Sequence, residues 1–200
     1  MTTLDALLRE KVLLLDGGMG TQIFARSPTL EDYGGAALEG CVDLLTERRP
    51  QWIREIHESY YRAGADAVET NTFGANPLVL SDFGLSAKAY DLNVQAASIA
   101  KEVARSFDRP RFVIGSVGPG TKLITLGHVS YAELLASYRV QMDGLLDGGA
   151  DAILIETCQD LGQIKVAVRA AREAMAAKKR RLPVWAVSYT HLTLPTTERV

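Results

Sequence analysis

Short apolar runs alternate along this chain with longer stretches in which apolar residues recur every three or four positions. The runs fall at residues 12–15, 67–70, 112–115, 152–155 and 184–187. Each is too short for a helix and is bounded by turn residues, so each reads as a strand buried on both faces. Between the runs, Trp52, Ile53, Ile56, Tyr60 and Ala63 follow Pro50 at helical spacing. They predict a helix that starts at the proline and stops at Gly64. A long helix is predicted over 87–107, ended before Pro110. Ser130 and Glu133 form a capping box for a helix to about residue 146, and Asp160 caps another to about 177. Residues 4–10 make a short helical lead-in.

Two junctions are near copies: Ala63-Gly64-Ala65-Asp66-Ala67 and Gly148-Gly149-Ala150-Asp151-Ala152. Each ends a helix and feeds a strand, and the strands end in Glu69-Thr70 and Glu156-Thr157. Repeated strand–helix units imply a parallel α/β architecture with right-handed crossovers. The best fit is a (β/α)8 TIM barrel, with a doubly wound open sheet as the alternative. Eight strands in about 250 residues close such a barrel. The pattern therefore predicts an incomplete barrel of about the first five β/α units over residues 1–187. Residues 188–200 show neither strand alternation nor helical period. They are read as a non-native or disordered tail, and His191 is assigned no function.

The first run leads into Asp16-Gly17-Gly18-Met19-Gly20-Thr21. Glycines let the backbone turn sharply and approach a ligand closely. The turn's N–H groups can face an anion and Asp16 a cation, which together suit a zwitterionic amino acid. The alternative is a tight turn whose aspartate only caps the next segment. No dinucleotide or Walker-type phosphate loop is present.

The 200 residues suffice for one domain with a real core. A net charge of −2 gives no electrostatic case for nucleic acid or an anionic membrane. Lys178-Lys179-Arg180-Arg181 reads as a solvated helix end. No apolar run reaches membrane-spanning length and no signal core opens the chain, so the expectation is a soluble, cytoplasmic protein. Cys41 and Cys158, far apart and without ligand spacing, read as free thiols.

Five stretches together resemble the homocysteine S-methyltransferase family. They are residues 15–22, residues 63–75 with Glu69-Thr70-Asn71-Thr72-Phe73-Gly74, residues 115–123 with Gly115-Ser116-Val117-Gly118-Pro119 and Thr121-Lys122-Leu123, residues 126–128 (Leu126-Gly127-His128), and residues 154–160 with Glu156-Thr157-Cys158. The likeness is greatest to the cobalamin-dependent methionine-synthase branch. The resemblance implies a barrel that binds homocysteine at the C-terminal ends of its strands. It implies that Asp16 and Glu156 hold the amino group and that Gly17, Gly18 and Met19 face the carboxylate. Asn71, Thr72 and Thr157 would line the same mouth. Glu69 is either another lining carboxylate or a structural partner inside the barrel. Ser116 and Gly118 would shape the third loop, and His128 reads as a loop residue.

In the family a zinc ion held by three cysteines activates the thiol, which at an ordinary pKa near 8.5 is mostly protonated. Those cysteines lie on later strands and have no counterpart here, so no catalytic or metal residue is assigned in this chain. Cobalamin and methyltetrahydrofolate would be carried by other modules of a longer parent protein. The competing readings are a non-catalytic amino-acid-binding half-barrel and a betaine- or S-methylmethionine-type enzyme.

Overall fold

The structure is a computed structural model that describes residues 4–188. Four parallel strands run β1 (Ala67–Glu69), β2 (Phe112–Val117), β3 (Ala152–Cys158) and β4 (Val184–Ser188), paired in that order. The main helices are α1 (Leu4–Glu10), α2 (Met19–Phe24), α3 (Pro50–Ala63), α4 (Ala89–Arg105), α5 (Tyr131–Asp147) and α6 (Leu161–Ala177). Pro50 opens α3, and Gly64, at φ 114°, closes it. That left-handed geometry suits a residue without a Cβ. Both halves of the Ser130–Glu133 capping box form, and Asp160 accepts from the amides of Gly162 and Gln163.

Alternation along the strands sorts side chains onto two faces. Val68, Val113, Val117, Ile153 and Ile155 point to the face covered by α3 through α6. Ala67, Phe112, Ile114, Ala152 and Leu154 point to the other face, where Leu4 and Leu7 of α1, Leu13, Leu15 and Trp185 pack against them. A doubly wound sheet would reverse its strand order and place helices on both faces. Here the order is sequential and the crossover helices share one face, the winding of a β/α barrel.

The first apolar run differs from the expectation. Instead of a strand buried on both faces, it makes one parallel bridge, Leu15 to Ala67, and Val12 is 92% exposed. Asp66 accepts the Leu14 amide at 3.1 Å, as Asp151 accepts the Val113 amide within β2, so the run is gripped on its inner side as a strand would be. The run's outer side has no strand partner among the described residues. The proposed tail falls, beyond Ser188, outside the described residues.

The basic cluster is a solvated helix end, with Lys179, Arg180 and Arg181 exposed, and two of its cations also reach a neighbouring helix. Arg180 donates to the carbonyls of Leu146 and Ala150, at the end of α5, and Lys178 pairs with Asp147 at 2.6 Å. The cations serve a neighbouring helix's carbonyls and its last-turn carboxylate.

Candidate active site at the strand ends

The inner face is apolar at its base and acidic at its top. Continuing the alternation from Ala67, Ile114 and Leu154 places Glu69, Ser116 and Glu156 on that face, at the C-terminal ends of three adjacent strands. Asp16 follows the Leu15 bridge and joins them. Its two carboxylate oxygens each lie 3.1 Å from the Glu69 amide, which they accept. These residues line a cavity of about 640 Å3, together with Gly17, Gly18, Met19, Asn71 and Thr72. Seven of the eight residues singled out as substrate-binding therefore converge.

Thr157 stands apart. It does not line the cavity, and its hydroxyl lies 3.4 Å from the Glu156 carboxylate. Its φ of 59° is left-handed, an unusual conformation for a β-branched residue. It sits in a register shift between Ile155 and Cys158. The extra residue reverses the alternation. Simple alternation would aim Cys158 at the mouth with Glu156. The bulge sends it to the opposite face, buried among the α5 and α6 side chains.

The mouth is held by hydroxyls. The Ser116 amide donates to Thr70 Oγ1 at 3.0 Å, and Thr72 Oγ1 donates to the Ser116 carbonyl at 2.8 Å. Each hydroxyl has one proton, so the 2.6 Å contact between Thr70 and Thr72 runs from Thr70 to Thr72. This closed ring locks the end of β1 to β2. Ser116 Oγ then donates to Glu156 Oε1 at 2.6 Å and ties β2 to β3. Asn71 donates to the Val42 carbonyl and to Thr46 Oγ1, at 2.9 and 3.1 Å, and anchors the loop over the cavity. Gly17 lies under Tyr60: an added Cβ would come 3.0 Å from the phenol oxygen.

The electrostatics follow from burial without cations. Burial pushes Asp16 up to about 7, opposed by the Glu69 amide and assisted by the Glu156 charge. Burial, then the charges of Glu156 and Asp16, then a hydrogen bond shared with Glu156 push Glu69 up to about 8. No Lys, Arg or His lines the cavity among the described residues. Such a site has two stable states: protonated, or occupied by a cation.

The sequence reading passed over Asp43 and the cavity side of Cys41. Asp43 accepts the Gly74 amide at 3.0 Å, and burial pushes its carboxyl up to about 6. It reaches the cavity from a short 3-10 turn, Val42–Leu44, whose three residues carry no periodicity to read. Cys41, also on this wall, and Cys158 are both buried, and burial pushes each thiol up to about 11. Both are therefore thiols rather than thiolates, and they sit on different faces of the sheet. Among the described residues no group of three or more His, Cys, Asp and Glu could hold a metal ion. The residues present do not fit a zinc site.

Fold and site together define a singly wound parallel β/α domain with an acidic ligand cavity at the C-terminal ends of its strands. The chain belongs to the homocysteine S-methyltransferase family, whose model matches residues 13–198. It is similar to the methionine synthase of Mycobacterium tuberculosis (strain ATCC 25618 / H37Rv), 49% identical over 199 residues, which is 98% of this chain and 16% of that protein. The methionine synthase of Mycobacterium leprae (strain TN) is 46% identical over the same shares. The chain thus spans about one-sixth of the length of these relatives. Among solved structures it resembles the Escherichia coli homocysteine methyltransferase MmuM. The oxidized form matches with a TM-score of 0.71 and 28% identity, over 91% of this chain and 64% of that one. The metallated form matches with a TM-score of 0.70, over 94% and 67%. Among the described residues no helix is long and apolar enough to cross a membrane.

Proposed function

We propose that this chain is the homocysteine-binding part of a methionine-synthase-type methyltransferase, comprising about the first five units of a (β/α)8 barrel. The carrying observation is one cavity where Asp16, Glu69 and Glu156 meet beside the Gly17-Gly18-Met19 turn. The carboxylates suit the ligand's ammonium group, through charge-assisted hydrogen bonds. The turn's amides lead into α2 without a capping side chain and suit the ligand's carboxylate. Thr72 and Asn71, fixed by their own hydrogen bonds, shape the wall.

The domain's task in this reading is to orient the amino acid and exclude water from its charged end. Metal activation of the thiol falls to residues outside this chain. The methyl donor, with cobalamin and methyltetrahydrofolate, falls to other modules of a longer cytoplasmic parent protein. The similarity to methionine synthases several times longer supports this division.

Calorimetric titration with homocysteine tests the reading. Wild type should bind, and Glu156→Gln, which keeps the shape and removes the charge, should bind about tenfold more weakly. Equal affinity for both proteins would overturn it.

A further inference from the structure

The three carboxylates are not equivalent, and the difference is a matter of donors. Glu156 accepts the Ser116 hydroxyl at 2.6 Å and faces the Thr157 hydroxyl at 3.4 Å. Asp16 accepts the Glu69 amide. Among the described residues the Glu69 carboxyl has only the bond it shares with Glu156. Donors that point at a carboxylate favour its charged form. A proton shared between Glu69 and Glu156 therefore belongs on Glu69, which then donates to Glu156.

We propose that Ser116 is a positioning residue for the ammonium site: its hydroxyl donates to Glu156 and leaves Glu69, which has no such donor among the described residues, to carry a proton that leaves when an ammonium group binds. This deepens the homocysteine-binding reading and rests on it. Ser116 lines the cavity but is only 3% exposed, and its hydroxyl is spent on Glu156, through which it acts. Its own backbone is clamped from both sides by Thr70 and Thr72, so its hydroxyl is held in place.

The groups that face Glu69 all favour this assignment. Asp16 stands beside it on the turn, and Glu156 on β3. Asp43 and Cys41 line the same cavity. Every one of these groups is anionic or neutral. An arriving ammonium is then the only cation to compensate a second and third carboxylate. The proton balance is simple: the O–H bond of Glu69 breaks, the proton passes to solvent, and an N–H···O bond from the ligand replaces it.

The raised carboxyl of Glu69, at about 8, sets the window. Below that pH the free protein holds the proton and the complex does not, so affinity rises with pH up to about 8 and levels off above it. The probe is L-methionine, whose ammonium and carboxylate match the homocysteine end and which has no thiol proton to confuse the count. Titration of the 200-residue chain at pH 7.5, in buffers of different ionisation enthalpy, counts the protons. Wild type should release about one proton per ligand. Glu69→Gln should still bind and release almost none.

Ser116→Ala should bind about tenfold more weakly at pH 6.5 and approach wild type at pH 9, because the lost hydroxyl matters only while the pair holds a proton. Ser116→Thr keeps the hydroxyl and should restore the wild-type profile. Binding without proton release in wild type, or unchanged release in Glu69→Gln, overturns the proposal alone. A Ser116→Ala deficit that is the same at every pH overturns the positioning role. Absence of binding by wild type at every pH overturns the homocysteine reading and the proposal with it.

Discussion

The two Gly-Ala-Asp units are the same structure at one end of their strands and different structures at the other. At the base, Gly64 and Gly149 are both left-handed, and the amides of Ala65 and Ala150 both return 3.1 Å bonds to the preceding helix. Arg111 caps the carbonyls of Tyr61 and Ala65, and Arg180 caps those of Leu146 and Ala150, the equivalent pair. Asp66 takes the Leu14 amide and Lys11, while Asp151 takes the Val113 amide and Lys101. The recurring sequence thus specifies a complete joint: helix stop, arginine cap, and an aspartate that grips the previous strand.

At the top the equivalence fails. Thr70 is buried in the hydroxyl ring, whereas Thr157 sits at positive φ in a bulge. Glu156 has a hydroxyl donor, and Glu69 does not. The bases do the same mechanical job and keep the same bonds. The two strand ends line one cavity from different sides and differ in the donors they meet.

The comparison can be broken or sharpened by paired substitutions. The largest effect is expected at the bases. Asp66→Ala removes the partner of Arg111, whose side chain is 3% exposed, and frees the residue 12–15 segment. A buried charge left unpaired costs about 3–5 kcal/mol. Asp151→Ala strands only the half-buried Lys101 and one amide, for about 1–3 kcal/mol. Urea unfolding of the two variants checks the order, and equal losses would contradict it.

The next effect is at the threonines. Thr70→Val leaves the buried Ser116 amide without its acceptor and should cost about 1–3 kcal/mol. Thr157→Gly relieves a left-handed residue and should stabilise the domain by about 1 kcal/mol. The two variants therefore move the urea midpoint in opposite directions.

The pH dependence sharpens the glutamate comparison. Glu69 is raised from 4.5 to about 8 in the folded protein, so the folded state binds more protons across that interval. Its contribution to stability is present below 4.5 and is lost as pH rises through 8. Glu69→Gln should flatten this decline and leave the ligand-free domain more stable than wild type at pH 8. Thermal melts from pH 5 to 8 provide the check, and parallel profiles for the two proteins would refute it.

Much of this was legible from local pattern. Pro50, Gly64, the Ser130–Glu133 box and Asp160 act within a few residues of themselves, and each marks an observed helix end. Asp16 is singled out by its glycine turn, and Asn71 and Glu156 by the family resemblance; all three fall at strand ends, where β/α folds carry ligand chemistry. Residues 12–15 misled because an apolar run does not reveal whether strands lie on both sides of it: one side bridges Ala67, and the other has no strand partner among the described residues. The face that Cys158 occupies was not legible, because one left-handed residue inverts a period-two pattern.

The sequence by itself determined the main helices, four of the strands and their parallel order, because those depend on short-range periodicity and on turn chemistry, while the pairing of Asp16 with Glu156 came from the family resemblance. Only the tertiary structure decided the placement of Asp43 on the cavity wall, the removal of Cys158 to the opposite face, and the pairing of Ser116 with Glu156 rather than Glu69. These depend on which strand ends come within hydrogen-bond reach, and on how far burial raises the cost of charge, neither of which any local stretch of sequence encodes.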